Sequence, residues 1–174
     1  GLENLCADFL ATGRDINGGY ADYMVIDETM AHPIPNTISD IAAAPMLCAG
    51  AIGYRSLKLS GLQNGQPLGL TGFGGSAHLV LQMVRHQYPD SPIYVFARRP
   101  EEQQFALELR AAWAGNTTEQ APALMAAIID TTPAWLPVVA AMNQLAPGGR
   151  LVINAIRKED ADKQQLATLQ YAEH

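Results

Sequence analysis

The segment Leu68–Val84, LGLTGFGGSAHLVLQMV, restricts the fold of this chain more than any other. Its first four residues, Leu68–Thr71, are short and apolar, as expected of a strand buried on both faces. Gly72, Gly74 and Ala77 then follow with the spacing G-x-G-x-x-A. Apolar residues continue at the spacing of one helix face: Ala77, Val80, Leu81 and Val84. The segment therefore predicts a strand, a tight turn and a helix.

The small residues of this turn suit a phosphate-binding site. Gly72 allows a sharp exit from the strand, and Gly74 has no Cβ, so a pyrophosphate can approach the backbone around Phe73 and Gly75. Ala77 lets the helix lie close to the strand. The free N–H groups and the positive end of the helix dipole would face the phosphates. The alternative, a glycine-rich turn without a ligand, is open until its surroundings are considered.

Composition excludes several classes of partner. The chain has 174 residues, 48% of them hydrophobic, and a formal net charge of -6. A net acidic chain is not attracted to nucleic acid or to an anionic membrane surface. No apolar run approaches the roughly 20 residues that span a bilayer, and no secretory signal opens the chain. Two cysteines, Cys6 and Cys48, are too few for a disulfide framework, so we expect a cytoplasmic protein with free thiols.

Strands and helices alternate after residue 68, which predicts an α/β fold with a doubly wound parallel sheet. The predicted strands are Leu68–Thr71, Ile93–Ala97, a short one through Trp113, Ala126 or Ala127 to Thr132, and Leu151–Ala155. The predicted helices follow Ala77, begin at Pro100, run from Pro133 to Pro147, Gly148 and Gly149, and cover Glu159–Tyr171. A sixth strand would complete such a sheet, so an open edge, or one covered by a partner, is expected.

The first fifty residues have a different pattern. Gly18 and Gly19 signal a turn, and β-favouring residues over Tyr20–Ile26 predict a strand or hairpin arm. Prolines over residues 33–35 indicate an extended segment. From Ser39 onward, the pattern predicts one or two helices broken near Pro45 and Gly50, with Cys48 at or near a helix end.

Four motifs resemble zinc-dependent alcohol dehydrogenases of the medium-chain dehydrogenase/reductase superfamily. They are GLENLC, GGYADY, PMLCAG and GFGGSA, and their order and spacing agree with that family. The resemblance implies a partial catalytic, GroES-like β segment at residues 1–50. It implies a dinucleotide-binding Rossmann domain at residues 51–174, truncated at its C-terminal strand.

The resemblance assigns each cysteine to a zinc site. Cys48 would be a ligand of the catalytic zinc, and Cys6 would belong to the structural zinc lobe. Zinc with an open coordination position can bind an alcohol oxygen and lower its pKa. The alternative for Cys48 is a buried cysteine that packs as a small hydrophobic residue. The family's other ligands lie upstream of the segment that matches Gly1, so we expect no properly bound zinc and no turnover from these residues alone.

The end of the second strand indicates NADP(H), with NAD still possible. NAD enzymes place an acid there, whereas this chain has Ala97 followed by Arg98 and Arg99. A small residue leaves room for a 2′-phosphate, and an arginine can bind it with two hydrogen bonds. The residues do not show which arginine does so, and both could instead belong to a surface loop.

By resemblance, two further strand ends line the nicotinamide ribose and ring. They are formed by Thr131 and Thr132 and by Asn154, Ala155 and Ile156. Asp130 is expected to be structural rather than a general acid, and His78 to lie on the helix surface.

These observations favour an oxidoreductase that transfers hydride between NADP(H) and a small alcohol or aldehyde. Zinc would act as Lewis acid in the intact protein, and the present residues would bind cofactor only. One alternative is a zinc-free quinone or enoyl reductase of the same superfamily, and another is a non-catalytic NADP-binding module. A homodimer is compatible with the sequence.

Overall fold

The computed structural model describes residues 6–155 and 157–169. The chain divides into two compact units, Gly1–Ser39 and Asp40–His174. The predicted boundary between residues 50 and 51 falls inside the helix Ala49–Ser60, within the second unit. As a boundary between family domains it stays a prediction.

The first unit contains a 3-10 helix, Glu28–Met30, and one isolated bridge between Thr12 and Ile16. The Asp27 carboxylate accepts a hydrogen bond from the Thr29 backbone N–H at 2.9 Å and so caps this helix. The strand predicted over Tyr20–Ile26 is not formed. Its residues have no neighbouring strand to pair with among the described residues, and an isolated strand leaves its backbone groups unpaired. The first five residues of the GLENLC motif lie outside the described residues.

The second unit contains a five-stranded, all-parallel sheet, which confirms the predicted α/β architecture. Its strands are β1 Leu68–Thr71, β2 Ile93–Phe96, β3 Trp113–Gly115, β4 Met125–Asp130 and β5 Leu145–Ile153. They are arranged in the order β3-β2-β1-β4-β5. The chain crosses the sheet between β3 and β4, so the strand order reverses at the boundary between β1 and β4.

Helices cover the sheet. They are α1 Asp40–Ala43, α2 Ala49–Ser60, α3 Gly75–Gln87, α4 Pro100–Glu108 and α5 Leu136–Met142, with 3-10 helices at Ala44–Leu47 and Lys163–Thr168. The predicted break between the first helices occurs at Cys48, while Gly50 lies inside α2. No helix among the described residues is long and apolar enough to cross a bilayer.

Two predictions for the C-terminal third were wrong. The Pro147–Gly149 segment does not end a helix but forms a bulge within β5, since Met125 pairs with Leu145 whereas Ala127 pairs with Arg150. Gly148 has φ 75, a conformation that suits glycine. The predicted helix over 159–171 is only the 3-10 helix Lys163–Thr168, and its last two residues lie outside the described residues, as does Ile156.

Glycine permits close packing of α2 on α3. A Cβ on Gly53 would lie 2.9 Å from the Val80 Cγ2 and 3.5 Å from the Ser76 carbonyl oxygen. Val80 is fully buried, so it has little room to move. The close packing of the two helices therefore requires a residue without a Cβ at position 53.

Replacing Gly53 with alanine should destabilise the protein despite alanine's higher helix propensity. We expect a loss of about 1–3 kcal/mol in the free energy of unfolding, because Val80 and the α3 backbone must shift. Urea denaturation measures this loss. Gly75→Ala is the matched control, since its Cβ would meet only the Ala49 methyl at 3.8 Å. Equal stabilities for the two variants would contradict the packing argument.

Candidate functional site

A cleft of about 640 Å³ opens at the carboxyl ends of the strands. Its walls include the β1–α3 turn at residues 72–76, the β4–α5 loop at residues 131–134, Arg98 and Asn154. These segments meet where the strand order reverses. Open parallel sheets bind their ligands at this position.

The β1–α3 turn presents bare backbone to the cleft. Gly72 has φ 75, and a Cβ there would lie 2.9 Å from the Thr132 Cγ2. A Cβ on Gly74 would meet no atom within 4 Å, so it would project into open space. Helix α3 begins at Gly75 without a side-chain cap, so its first N–H groups have no such partner. This geometry fits an anionic group such as a pyrophosphate.

Three of the predicted cofactor residues have buried side chains, so they cannot contact a cofactor through those side chains. The Phe73 ring is 5% exposed and packs edge-to-face on Phe105, with centroids 5.8 Å apart, so mainly its backbone faces the cleft. Ala77 and Ala97 are 0% and 1% exposed. Both lie in the hydrophobic core and are absent from the cleft wall. Ala155, a fourth predicted residue, is partly buried and is also absent from the cleft wall. Because their methyl groups are buried, Ala77 and Ala97 act through packing.

The structure separates the two arginines that the sequence could not distinguish. Arg98 lines the cleft and forms no ion pair with any described residue. Arg99 donates to the Glu102 carboxylate at 2.7 and 3.1 Å. That hydrogen bond raises the pKa of the Arg99 guanidinium above its ordinary value. Arg98 is therefore the arginine available to an anion in the cleft.

Thr131, Thr132 and Asn154 meet across the other end of the cleft. The Thr131 hydroxyl donates to the Thr71 carbonyl at 3.0 Å, and the Thr132 hydroxyl donates to Asp130 at 2.8 Å. The Asn154 side-chain nitrogen is buried and has no hydrogen-bond partner among the described residues. An unsatisfied buried donor costs stability, so this amide is suited to donating to a bound ligand.

A buried ion pair that no sequence pattern predicts lies beneath this end of the cleft. Lys158 contacts the Asp130 carboxylate, and the two side chains are 7% and 0% exposed. Asp130 also accepts a hydrogen bond from the Thr71 hydroxyl at 2.7 Å, in agreement with its expected structural role. Lys158 follows β5 in a segment without regular structure, so no periodic pattern relates it to Asp130.

Asp162, an acidic residue that the sequence analysis did not single out, fixes the start of α5. Its carboxylate accepts hydrogen bonds from the backbone N–H groups of Trp135, at 2.9 Å, and Leu136, at 2.7 Å. These bonds lower the pKa of the Asp162 carboxyl, and the bond from Leu136 has the largest effect. Asp162 therefore caps a helix whose own preceding residue makes no side-chain cap.

The cysteines do not form a metal site with other described residues. Cys6 lies in the first unit and Cys48 precedes α2 in the second, and both are exposed. Cys48 is therefore not packed in the core that the described residues form. Within the described ranges, no group of three or more His, Cys, Asp or Glu residues could hold a metal ion. A tetrahedral zinc needs more protein ligands than these residues bring together.

Comparison with known proteins finds relatives among the alcohol dehydrogenases. The chain is 39% identical, over all 174 residues, to the probable alcohol dehydrogenase AdhA of Mycobacterium tuberculosis (strain CDC 1551 / Oshkosh). The chain is thus similar over its whole length to an alcohol dehydrogenase, the class of enzyme that its sequence motifs resemble. It spans 48% of the length of that relative. No family model matches the chain.

Solved structures of dehydrogenases share this fold. An Escherichia coli CFT073 alcohol dehydrogenase (rspB) complexed with NADH matches with a TM-score of 0.78 and 20% identity, over 95% of this chain and 52% of the other. CAD from Helicobacter pylori complexed with NADP(H) matches with a TM-score of 0.60 and 25% identity, over 68% of this chain and 34% of the other. The fold of this dehydrogenase chain is thus of the Rossmann type.

Stability should depend on the ionisation of Asp162. A carboxyl whose pKa is lowered by folding stabilises the protein above its unfolded value, 3.8, and loses that contribution as pH falls through the lower folded pKa. We expect Asp162→Asn to be less stable by about 0.3–1 kcal/mol at pH 6, because the amide keeps an acceptor oxygen for these N–H groups but loses the negative charge that a helix N-terminus favours.

Thermal unfolding at pH 6, 4 and 3 measures this effect. The difference between wild type and Asp162→Asn should shrink below pH 3.8, where wild type itself loses the charge. The matched control, Asp160→Asn, changes a carboxylate that is 88% exposed and should match wild type throughout. A difference for Asp162→Asn that is constant with pH would contradict the assignment.

Proposed function

We propose that the intact protein is an oxidoreductase that transfers hydride between NADP(H) and a small-molecule alcohol or aldehyde, with NAD as a possible second cofactor. The observation that carries this proposal is the bare backbone at Gly74, which faces the cleft at the switch point of the sheet. The family relationship supplies the class of reaction. A cytoplasmic location and a homodimer are part of the proposal on sequence grounds alone.

The β1–α3 turn would bind the pyrophosphate of the cofactor. Backbone N–H groups at Gly74, Gly75 and Ser76 line the cleft at the N-terminus of α3. The helix dipole favours negative charge at this end. Because Gly74 has no Cβ, the phosphate oxygens can come within hydrogen-bond distance of the backbone.

Arg98 would select NADP(H) over NAD(H). It is exposed in the cleft and has no acidic partner among the described residues, so its guanidinium can bind a 2′-phosphate with two hydrogen bonds. Arg99 is held by Glu102, which also lines the cleft. The pairing with Arg99 offsets the repulsion that this carboxylate would exert on a phosphate.

The nicotinamide half would lie against Thr131, Thr132 and Asn154. When bound there, the cofactor supplies or accepts the hydride. The chain's own residues orient it: the buried Asn154 amide donates a hydrogen bond, and the β4–α5 loop forms the wall. This leaves Asp130 outside the chemistry, because its carboxylate is fully buried and already paired.

The zinc roles of Cys48 and Cys6 are proposals from family resemblance only. The described residues do not bring a zinc ligand set together. The assignment of residues 1–50 to a catalytic domain and 51–174 to the nucleotide domain is likewise a proposal.

Arg98→Ala should weaken the binding of NADPH but not of NADH. Losing a charged hydrogen bond costs about 1.5–3 kcal/mol, which is roughly a 10–100-fold rise in the NADPH dissociation constant. Titration calorimetry of the intact protein measures the dissociation constant of each nucleotide. The matched control is Arg99→Ala combined with Glu102→Gln, which removes the whole ion pair and leaves no unpaired carboxylate in the cleft; it should change both constants less than threefold, an effect on the order of 0.6 kcal/mol. An equal loss in both variants, or none in either, would contradict the role of Arg98.

Gly74→Val should weaken the binding of NADPH and of NADH to the same degree. The new side chain would project into open space, so folding is expected to be retained, yet it would exclude the pyrophosphate common to both nucleotides. We expect at least about a tenfold loss in each affinity, or 1.4 kcal/mol. Unchanged binding of both nucleotides would contradict the proposed site and leave a glycine-rich turn of purely structural role.

A further inference from the structure

We infer that Lys158 is a positioning residue that, together with Glu159 and Asp162, holds the nicotinamide-side wall of the cleft in its binding conformation. These three residues are called the clasp below. The inference rests on the proposed function, since it assigns a role in binding one half of the proposed cofactor. The clasp residues follow β5, and the wall is the β4–α5 loop at residues 131–135.

The ammonium group of Lys158 is fully used inside the protein. It donates to Asp130 Oδ2, to the Thr132 carbonyl at 2.7 Å and to the Ala134 carbonyl at 2.9 Å. An ammonium has three N–H donors, so each one has an acceptor. The side chain is only 7% exposed. Lys158 therefore binds two loop carbonyls in the way that an internal cation would.

Glu159 and Asp162 extend the same contact along the loop. The Glu159 backbone N–H donates to the Pro133 carbonyl at 2.7 Å. The Asp162 carboxylate accepts from the N–H groups of Trp135 and Leu136. Every residue from 132 to 136 thus has a backbone group bound by the clasp. The clasp and the loop form one hydrogen-bonded unit.

The loop has few means of fixing its own conformation. Pro133 has no N–H, and the two carbonyls on either side of the Pro133 carbonyl point to Lys158. Without the ammonium, these carbonyls would turn toward water, and the backbone conformation of the loop would change. Thr131 and Thr132, which line the cleft, lie on this loop. Cofactor affinity then falls in proportion to the fraction of molecules with the loop in place.

Asp130 anchors the clasp to the centre of the sheet. Its Oδ1 accepts hydrogen bonds from the hydroxyls of Thr71, at 2.7 Å, and Thr132, at 2.8 Å, while Oδ2 takes Lys158. Thr71 ends β1, immediately before the phosphate-binding turn. Asp130 therefore connects the β4–α5 loop, by way of Thr132 and Lys158, to the end of β1, which precedes the proposed pyrophosphate site.

The test compares two ligands on the intact protein by titration calorimetry. NADPH contacts both halves of the proposed site, whereas 2′,5′-ADP lacks the nicotinamide half. We expect Lys158→Met to raise the dissociation constant of NADPH at least about tenfold and that of 2′,5′-ADP less than twofold. A variant that is merely less well folded would lose both ligands together, so the ratio of the two affinities separates positioning from stability.

Two further variants keep the test decisive if Lys158→Met does not fold. Asp130→Asn combined with Lys158→Met removes both buried charges but retains an acceptor for Thr71, so it leaves no unpaired buried ion. Asp162→Asn alters the clasp at a partly exposed position. Each should shift the affinity ratio in the same direction. The matched controls, Lys163→Met and Asp160→Asn, change an exposed pair and should leave it unchanged.

The outcomes distinguish this inference from the proposed function. If wild type binds neither NADPH nor 2′,5′-ADP, the proposed function is overturned and the inference with it. If wild type binds both and the clasp variants leave the affinity ratio within twofold of wild type, only the positioning role of Lys158 is overturned. A selective loss of NADPH in the clasp variants, with both controls like wild type, supports it.

Discussion

The close contact of β1 with α3 is the constraint on which the rest of the dehydrogenase fold depends. Leu68 and Leu70 are fully buried between β2 and β4, and Ala77 and Val80 are fully buried in the same core. Burying these side chains is favourable only if the chain reverses sharply between strand and helix. That reversal leaves backbone rather than side chains at the mouth of the cleft, so the packing of the core also creates the surface that we propose binds the pyrophosphate.

Charge is distributed unevenly around the cleft of a net acidic chain. On the β2 side, Arg98 is free of acidic partners among the described residues, while Arg99 is neutralised by Glu102. On the β4 side, Lys158 contacts the loop and is turned inward to Asp130. The two ends therefore place their cations differently: Arg98 is exposed in the cleft, and Lys158 is buried against loop carbonyls.

Residues with a local pattern were predicted correctly from sequence. The G-x-G-x-x-A spacing located β1, the turn and α3, and apolar runs located β2, β3 and β4 to within two residues. Errors arose where the local pattern was ambiguous. Pro147 and Gly148 are typical of a helix end, but here they form a bulge in β5. The β-favouring residues from Tyr20 to Ile26 form no strand, because strand formation needs a pairing partner that propensity does not supply.

The fold class, the position of the glycine-rich turn and the resemblance to alcohol dehydrogenases could be predicted from sequence, because each depends on residue types at short, fixed separations. The choice between Arg98 and Arg99 required the folded structure, since an ion pair with Glu102 removes one of two adjacent and chemically equal candidates. The folded structure alone joined Lys158 to Asp130 across 28 positions of the chain. Contacts of this kind depend on how separate strands end at one edge of the sheet, and no spacing along the chain encodes that.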